Sequence, residues 1–208
     1  QWRSVTRDYE IRAYALLVAV ATGAITASLV WQSGFDLERA IRSAAFQVVS
    51  IATTTGFTSE NYELWSPLSH VALLLLMFVG GCTGSTAGGI KVSRAVTLAH
   101  VVSRELKRIV ERRGVFAIRL GGQAIPEPVV QGVLNLVYLA LLVNAIGMLL
   151  LAAAGVDVLT SITAVVACMF NIGPGLGLVG PAEHYGHLPA LAKWVLSVDM
   201  IAGRLQFF

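Results

Sequence analysis

Two polar stretches centred on glycine interrupt a chain that is otherwise rich in long apolar segments. The first glycine segment is residues 52–57, with three consecutive threonines before Gly56, and the second is residues 170–177, with glycine at every second position from Gly173. Glycine permits backbone angles that aim successive carbonyl oxygens in one direction, and a ring of such oxygens can replace the hydration shell of a cation. An ordinary threonine-rich turn is the alternative for the first segment taken alone. The two glycine segments could therefore coordinate a cation through their main-chain carbonyl oxygens.

A third stretch, which we call the glycine loop, is residues 80–89 and holds five glycines in ten positions. So many glycines cannot maintain a stable helix. A phosphate-binding loop is disfavoured, because its glycine and lysine spacing is absent and an apolar helix, not a strand, precedes the segment. A membrane helix that is broken here and acts as a gate is favoured, since glycines let the backbone bend and move. Close packing of small residues between helices is the alternative.

Arg204 stands in an apolar setting, beside Met200, Ile201 and Leu205. An arginine is costly in hydrocarbon, so its side chain is predicted to face a protein interior or a watery path. In a cation pathway its charge would act as an electrostatic barrier. The alternative is that the side chain reaches out to the membrane interface near the end of its helix.

The composition excludes an ordinary soluble domain. Hydrophobic residues make up 56% of the 208 positions and charged residues only 13%, against about 25% in soluble domains. The mean hydropathy is +0.73. The chain is predicted to be an all-α integral membrane protein. Neither a disulfide framework nor a transition-metal site is supported by Cys82 and Cys168, and no catalytic constellation or nucleic-acid-binding module is evident, so the chain is not expected to be an enzyme or to bind nucleic acid.

Two apolar runs, residues 13–31 and 129–154, are long enough to span a bilayer. Residues 37–51 are too short and are predicted to form a helix that dips in and returns as an extended strand. Pro67 opens another short helix, which the glycine loop ends. Eight basic residues between 91 and 119 place residues 91–126 on the cytoplasmic side, whereas residues 59–66 and 177–188 are predicted to lie outside.

The chain also repeats itself. Residues 34–37 return as residues 155–158, Pro67 has a counterpart in Pro189, and the spacing from paired valines to Gly56 recurs before Gly173. The break at residues 80–81 aligns with residues 202–203. Two parallel units, each made of a span, a short helix with its glycine segment and a second span, are predicted at residues 1–119 and 120–208.

Four motifs, at residues 53–57, 80–91, 171–177 and 203–205, occur in an order that resembles the C-terminal half of the bacterial Trk-type potassium-uptake membrane subunit, in the Trk/Ktr/HKT superfamily. The resemblance covers essentially the whole chain. It implies a K+-channel-like fold of four M1-P-M2 units (helix, pore helix with filter strand, helix) around one pore. This chain would hold the third and fourth units, and K+ would be the transported ion, bound by filter carbonyls without any other cofactor.

The same resemblance assigns two sets of functional residues. The selectivity filter would comprise Thr54, Thr55, Gly56, Phe57, Asn171, Ile172, Gly173 and Pro174. The gate beneath it would comprise Gly80, Gly81, Gly84, Ser85, Thr86, Gly88, Gly89, Lys91 and Arg204.

Two filter strands cannot encircle an ion, so the pore needs either an N-terminal half or a second copy of the chain, and a homodimer is expected. The start at Gln1 favours a fragment. The family implies a bacterial inner-membrane location and a cytoplasmic nucleotide-binding regulatory subunit, which the basic residues 104–113 would meet together with membrane lipid. A non-channel transporter subunit or a structural membrane scaffold is the alternative function.

Overall fold

The computed structural model describes residues 8–111, 118–121 and 123–206. Seven α-helices follow one another along these residues. Their bounds are α1 Tyr9–Ser33, α2 Leu37–Ala52, α3 Pro67–Met77, α4 Val92–Val110, α5 Glu127–Ala153, α6 Val158–Met169 and α7 Ala190–Gln206. A two-residue antiparallel pair, β1 Arg119–Leu120 with β2 Gln123–Ala124, precedes α5. The predicted predominance of helix is thus confirmed.

The longest helices are α1, with 25 residues, and α5, with 27, and both are long and apolar enough to cross a membrane. Helix α1 begins four residues before the predicted apolar run, because the Asp8 side chain accepts a hydrogen bond from Glu10 N at 2.9 Å and caps the helix. Gly34 ends α1 in the left-handed conformation, with φ 64°. Helix α5 begins at Glu127 with a proline in its first turn, where the missing amide hydrogen costs nothing.

The short helix α2 packs on α1, and the short helix α6 packs on α5 and on α7. Their inner faces are fully buried, with Val48 and Ile51 on α2 and Val166 and Met169 on α6. One apolar core contains side chains from both of these helices. The Phe78 and Phe170 rings meet edge to face at 5.3 Å, which joins the end of α3 to the end of α6.

Residues 78–91 separate α3 from α4, as the glycine content predicted. Backbone hydrogen bonds close the base of this interruption: Gly80 N donates to Ile90 O at 2.9 Å and Ile90 N to Phe78 O at 3.0 Å. Helix α4 then packs on α1 and α5. The basic Arg112 and Arg113 lie outside the described residues.

The sequence repeat aligns the helix break at residues 80–81 with residues 202–203. No break occurs at residues 202–203, because α7 continues through Gly203 to Gln206. A side chain at Gly203 would overlap the carbonyl oxygen of Met169. This glycine therefore lets α7 lie close against the end of α6 without interrupting the helix.

Candidate functional site

The first glycine segment begins where α2 ends. Its amide hydrogens turn back onto the last turn of that helix, with Thr53 N bonded to Val49 O and Thr55 N to Ser50 O, each at 2.9 Å. Thr54 and Gly56 have positive φ, 53° and 73°. The segment is therefore a chain of tight turns and not the extended strand that the sequence predicted, because left-handed residues at alternate positions are incompatible with a pleated strand.

The second glycine segment leaves α6 in the same way, 117 residues later in the chain. Phe170 N donates to Val166 O at 3.0 Å and Ile172 N to Ala167 O at 2.9 Å, which are the counterparts of the bonds at Thr53 and Thr55. Asn171 has φ 55° and Gly173 has φ 114°, again at alternate positions. Two stretches with little sequence identity thus share one backbone conformation.

The fold places the two glycine segments in direct contact. A side chain on Gly56 would overlap the carbonyl oxygen of Ile172, and its Cβ would lie 3.2 Å from the Pro174 ring. The contact therefore requires glycine at position 56 both for its positive φ and for its lack of a side chain.

Four carbonyls of the two glycine segments accept hydrogen bonds from side chains. Ser50 Oγ donates to Phe57 O at 2.6 Å, Tyr185 Oη to Gly173 O at 2.6 Å, Tyr62 Oη to Gly175 O at 2.7 Å, and Thr163 Oγ1 to Leu176 O at 2.9 Å. The four donors were not predicted as site residues. Ser50 is close in sequence, but no local pattern connects Tyr62 with a carbonyl 113 residues away.

The glycine loop lies against both glycine segments. Gly88 N donates to Thr54 Oγ1 at 3.0 Å, and a side chain on Gly88 would overlap Phe170 O. The predicted gate residues and the predicted filter residues are therefore neighbours in the structure.

Two cations hold the carbonyls of the glycine loop. Lys91 Nζ donates to Ser85 O at 2.8 Å and to Ala87 O at 2.7 Å, and Arg204 Nη1 donates to Thr86 O at 2.9 Å. Three consecutive carbonyls thus point towards positive charge. A small cavity lies among these groups, lined by Ser85, Thr86, Ala87, Gly88, Lys91, Gly203 and Arg204.

Glu10 fastens the base of the same loop from α1. Its Oε1 accepts hydrogen bonds from Thr83 N at 2.6 Å, Thr83 Oγ1 at 3.0 Å and Ser93 N at 3.3 Å. Glu10 was not predicted as a site residue. A carboxylate at the start of an apolar span could have indicated such a contact, because a buried carboxylate needs a polar partner.

A family model described as TrkH, cation transport protein, matches residues 9–208. The chain belongs to the TrkH family. This membership confirms the resemblance predicted from the four motifs. TrkH proteins are transport proteins and not enzymes, which agrees with the prediction that the chain has no enzymatic function.

Curated TrkH-family relatives match almost the whole chain. The Trk system potassium uptake protein TrkH of Vibrio parahaemolyticus is 42% identical over 206 residues, covering 97% of this chain and 41% of the relative. TrkH of Escherichia coli K12 is 39% identical, covering 97% and 42%, and TrkG of the same strain is 33% identical, covering 99% and 42%. The chain thus spans about two fifths of the length of the curated relatives it matches.

A solved TrkH-family structure has the same fold. The crystal structure of the potassium transporter TrkH from Vibrio parahaemolyticus superposes with a TM-score of 0.89 at 41% sequence identity, covering 97% of this chain and 43% of that one. A helical fold of the TrkH type is therefore established for the described residues.

Among the residues that the structure describes, no group of three or more histidine, cysteine and acidic side chains is placed to hold a metal ion. Cys82 and Cys168 are free thiols. The polar groups of this TrkH-family site are instead main-chain carbonyls together with Glu10, Lys91 and Arg204.

Proposed function

We propose that this chain forms part of a pore that takes up K+ across the bacterial inner membrane. The observation that carries the proposal is the contact between Gly56 and Ile172 O, which joins two segments of the same backbone conformation. Each segment follows a short buried helix that packs on a long apolar one. Helices α1 to α3 and α5 to α7 would then be two parallel M1-P-M2 units, within residues 1–119 and 120–208.

The proposed filter uses the carbonyls of Thr54, Thr55, Gly56 and Phe57 in the first unit. The second unit would contribute those of Asn171, Ile172, Gly173 and Pro174. The amide hydrogens of Thr55 and Ile172 are bonded back to the short helices, which leaves the carbonyls available for a dehydrated cation. Phe57 O and Gly173 O already accept one side-chain donor each, and a carbonyl oxygen retains a second lone pair.

The proposed gate is the glycine loop together with Lys91 and Arg204. Positive charge beside a cation path raises the energy of a permeating K+, because like charges repel most strongly where water is scarce. The contact of Arg204 with Thr86 O would hold the loop below the filter, as the bond from Gly88 N to Thr54 Oγ1 does from above. Movement of this loop would open the path.

Two filter segments supply half of a four-part ring, so the pore needs a further half. We propose that it comes from an N-terminal half, in keeping with the greater length of the relatives, or from a second copy of the chain, and that the complete protein is a homodimer. Helix α4 ends in Lys107 and Arg108 and would meet a cytoplasmic nucleotide-binding regulatory subunit and anionic lipid. Residues 91–126 would be cytoplasmic, and residues 59–66 and 177–188 extracytoplasmic.

Uptake of labelled Rb+ into vesicles tests the proposal. The vesicles would contain the protein expressed from the complete coding sequence that includes these residues. We expect selective uptake over Na+, and a several-fold faster uptake by Arg204→Ala because both the barrier charge and the contact to Thr86 are removed. Lys107→Ala removes one exposed charge on α4, which has no proposed partner in vesicles of neutral lipid without a regulatory subunit, and in such vesicles it is the matched control. Absence of Rb+ uptake would favour a scaffold, and equal uptake by Arg204→Ala and the unsubstituted protein would refute the gate.

A further inference from the structure

The second glycine segment is held by side chains along much of its length. Thr163 Oγ1 accepts a hydrogen bond from Leu176 N at 3.0 Å and donates one to Leu176 O at 2.9 Å. Directly after the segment, Thr160 Oγ1 accepts one from Leu178 N at 3.0 Å. Both threonines lie on α6 and are fully buried. These bonds hold the backbone at Leu176 and Leu178, whereas other side chains hold the carbonyls of Gly173 and Gly175.

Two tyrosines hold those carbonyls. Tyr185 belongs to the loop before α7, and its hydroxyl donates to Gly173 O at 2.6 Å. Tyr62 belongs to the loop between α2 and α3, in the other half of the chain, and its hydroxyl donates to Gly175 O at 2.7 Å. Because a peptide group is planar, a bond to its oxygen restricts rotation of the whole group.

The Tyr62 side chain is itself rigidly placed. It is completely buried, and its ring meets Trp65 edge to face at 6.3 Å. Its backbone carbonyl is contacted by His70 Nε2 at 2.9 Å and accepts from Trp65 N at 3.1 Å. A donor that is fixed at both backbone and ring can impose a position on its acceptor.

Gly175 in turn has no freedom to move away from Tyr62. A Cβ there would lie 2.9 Å from Val179 Cγ2 and 3.0 Å from Thr163 Oγ1, and Gly175 N donates to Val179 O at 2.8 Å. Burial raises the pKa of both tyrosine hydroxyls, so each remains protonated and able to donate at neutral and alkaline pH.

We propose that Tyr62 and Tyr185 are positioning residues that fix the peptide groups of Gly173 and Gly175 and thereby set the preference of the pore for K+ over Na+. This inference rests on the proposed function. Gly173 belongs to the proposed filter, and Gly175 follows directly after its last residue, Pro174. A filter that is free to contract can coordinate the smaller Na+, so a bond that restrains Gly173 O and a bond that anchors the chain at Gly175 favour the larger ion. Tyr62 belongs to the loop between α2 and α3 of the first unit. The selectivity contributed by the filter segment of the second unit would therefore depend on a loop of the first unit.

Tyr62→Phe and Tyr185→Phe test the proposal, since each removes only a hydroxyl. The complete protein in vesicles would be measured for Rb+ and Na+ uptake, and for thermal unfolding in detergent. We expect each variant to fold and to conduct Rb+, with the ratio of Rb+ to Na+ uptake reduced about fivefold, the factor that one ordinary hydrogen bond is worth. Tyr138→Phe is the matched control, because Tyr138 lies on α5 with 69% of its surface exposed, and it should leave the ratio unchanged.

The outcomes separate this inference from the proposed function. An unchanged ratio in folded Tyr62→Phe and Tyr185→Phe, with selective Rb+ uptake by the unsubstituted protein, would overturn the role of the tyrosines and leave the pore intact. No selective uptake by the unsubstituted protein would overturn both. Should Tyr62→Phe fail to fold, Tyr185→Phe carries the same test through the neighbouring carbonyl.

Discussion

Gly56 and Gly173 stand at equivalent positions of the two glycine segments, yet their surroundings differ. Both have positive φ, which an L-residue adopts only at a cost of about 1–3 kcal/mol. A side chain on Gly56 would in addition overlap the carbonyl of Ile172, whereas one on Gly173 would meet no atom within 4 Å. Gly56 is therefore required at the contact between the segments, and Gly173 only for its own backbone angles.

Alanine substitution at these two glycines separates backbone strain from steric overlap. We expect Gly56→Ala to lower the thermal unfolding temperature more than Gly173→Ala, because only the first forces the two segments apart. Unfolding of the purified protein in detergent would measure this. Gly23→Ala, in the middle of α1 with open space around it, is the control and should be neutral or slightly stabilising. Equal effects at positions 56 and 173 would contradict the steric explanation.

At the scale of elements, the two short helices begin differently although the sequence repeats an aspartate there. Asp157 Oδ2 accepts a hydrogen bond from Thr160 N at 3.0 Å and caps α6. Asp36 occupies the corresponding position before α2, but its side chain makes no capping bond. The repeated residue type therefore supports only one of the two helices.

Asp157→Ala is expected to reduce the free energy of unfolding by about 1 kcal/mol, the usual value of an N-cap, and Asp36→Ala to reduce it less. Hydrogen bonds from the Thr160 side chain and backbone lower the pKa of Asp157. Because the pKa of Asp157 is lowered in the folded state, its cap stabilises the protein fully at any pH above the pKa of an aspartate in the unfolded chain, about 3.9. This stabilisation is lost as the pH falls through the pKa of Asp157 in the folded protein. Denaturant unfolding at pH 7 and pH 5 should thus give the same difference between Asp157→Ala and the unsubstituted protein. A difference that disappears by pH 5 would contradict this assignment.

The helices were largely predictable because apolar runs, Pro67 and the glycine loop mark their limits in the sequence. The predicted run at residues 129–154 became α5 Glu127–Ala153, and residues 37–51 became α2 Leu37–Ala52. The conformation of the glycine segments was not predictable, since Thr54 and Asn171 adopt positive φ although neither is glycine. Asparagine tolerates the left-handed region, but the residue type does not mark Thr54, whose hydroxyl accepts a hydrogen bond from Gly88 N across 34 residues of chain.

At the scale of the whole molecule, a shared core and an ion pair between α4 and α5 join the two halves of the chain. Apolar residues of α1 to α3 and of α5 and α6 form a single cluster. Away from it, Arg104 on α4 makes two hydrogen bonds to the Glu127 carboxylate, at 2.8 and 3.1 Å, where α5 begins. Only 8% of the Arg104 side chain is exposed, so its charge depends on Glu127 and on Glu105, whose Oε1 lies 3.1 Å from Arg104 Nε.

Glu127→Gln is expected to lower the unfolding temperature, because it leaves a buried guanidinium without its full counter-charge. Glu60→Gln is the matched control. Its partner Arg39 keeps 56% of its side chain exposed, and an exposed pair contributes little. Thermal unfolding of both variants at low and high salt would distinguish them. The comparison would count against a structural role for the Arg104 pair if Glu60→Gln proved the more damaging substitution.

Contacts between residues far apart in the chain were the part of the site that the sequence did not disclose. The glycine loop, Lys91 and Arg204 were predicted, and the structure brings them together through Ser85 O, Thr86 O and Ala87 O. Tyr62 and Glu10 were not predicted, because each meets its partner across 73 or more residues of chain. Such contacts follow from how the helices pack. A single sequence gives the residue types but does not show which of them will be in contact.

The closed base of the glycine loop has an entropic consequence. Gly80 and Ile90 are bonded to each other, and Glu10 holds Thr83 and Ser93 together, so the ends of the loop are already joined. When such a loop changes conformation, only its own residues lose or gain conformational freedom. The entropic cost of bringing the two ends of the loop together is not incurred again. In the proposed opening, the slow step would be the release of the hydrogen bonds from Lys91 and Arg204, because closing a loop of about ten residues takes only about 10–100 ns.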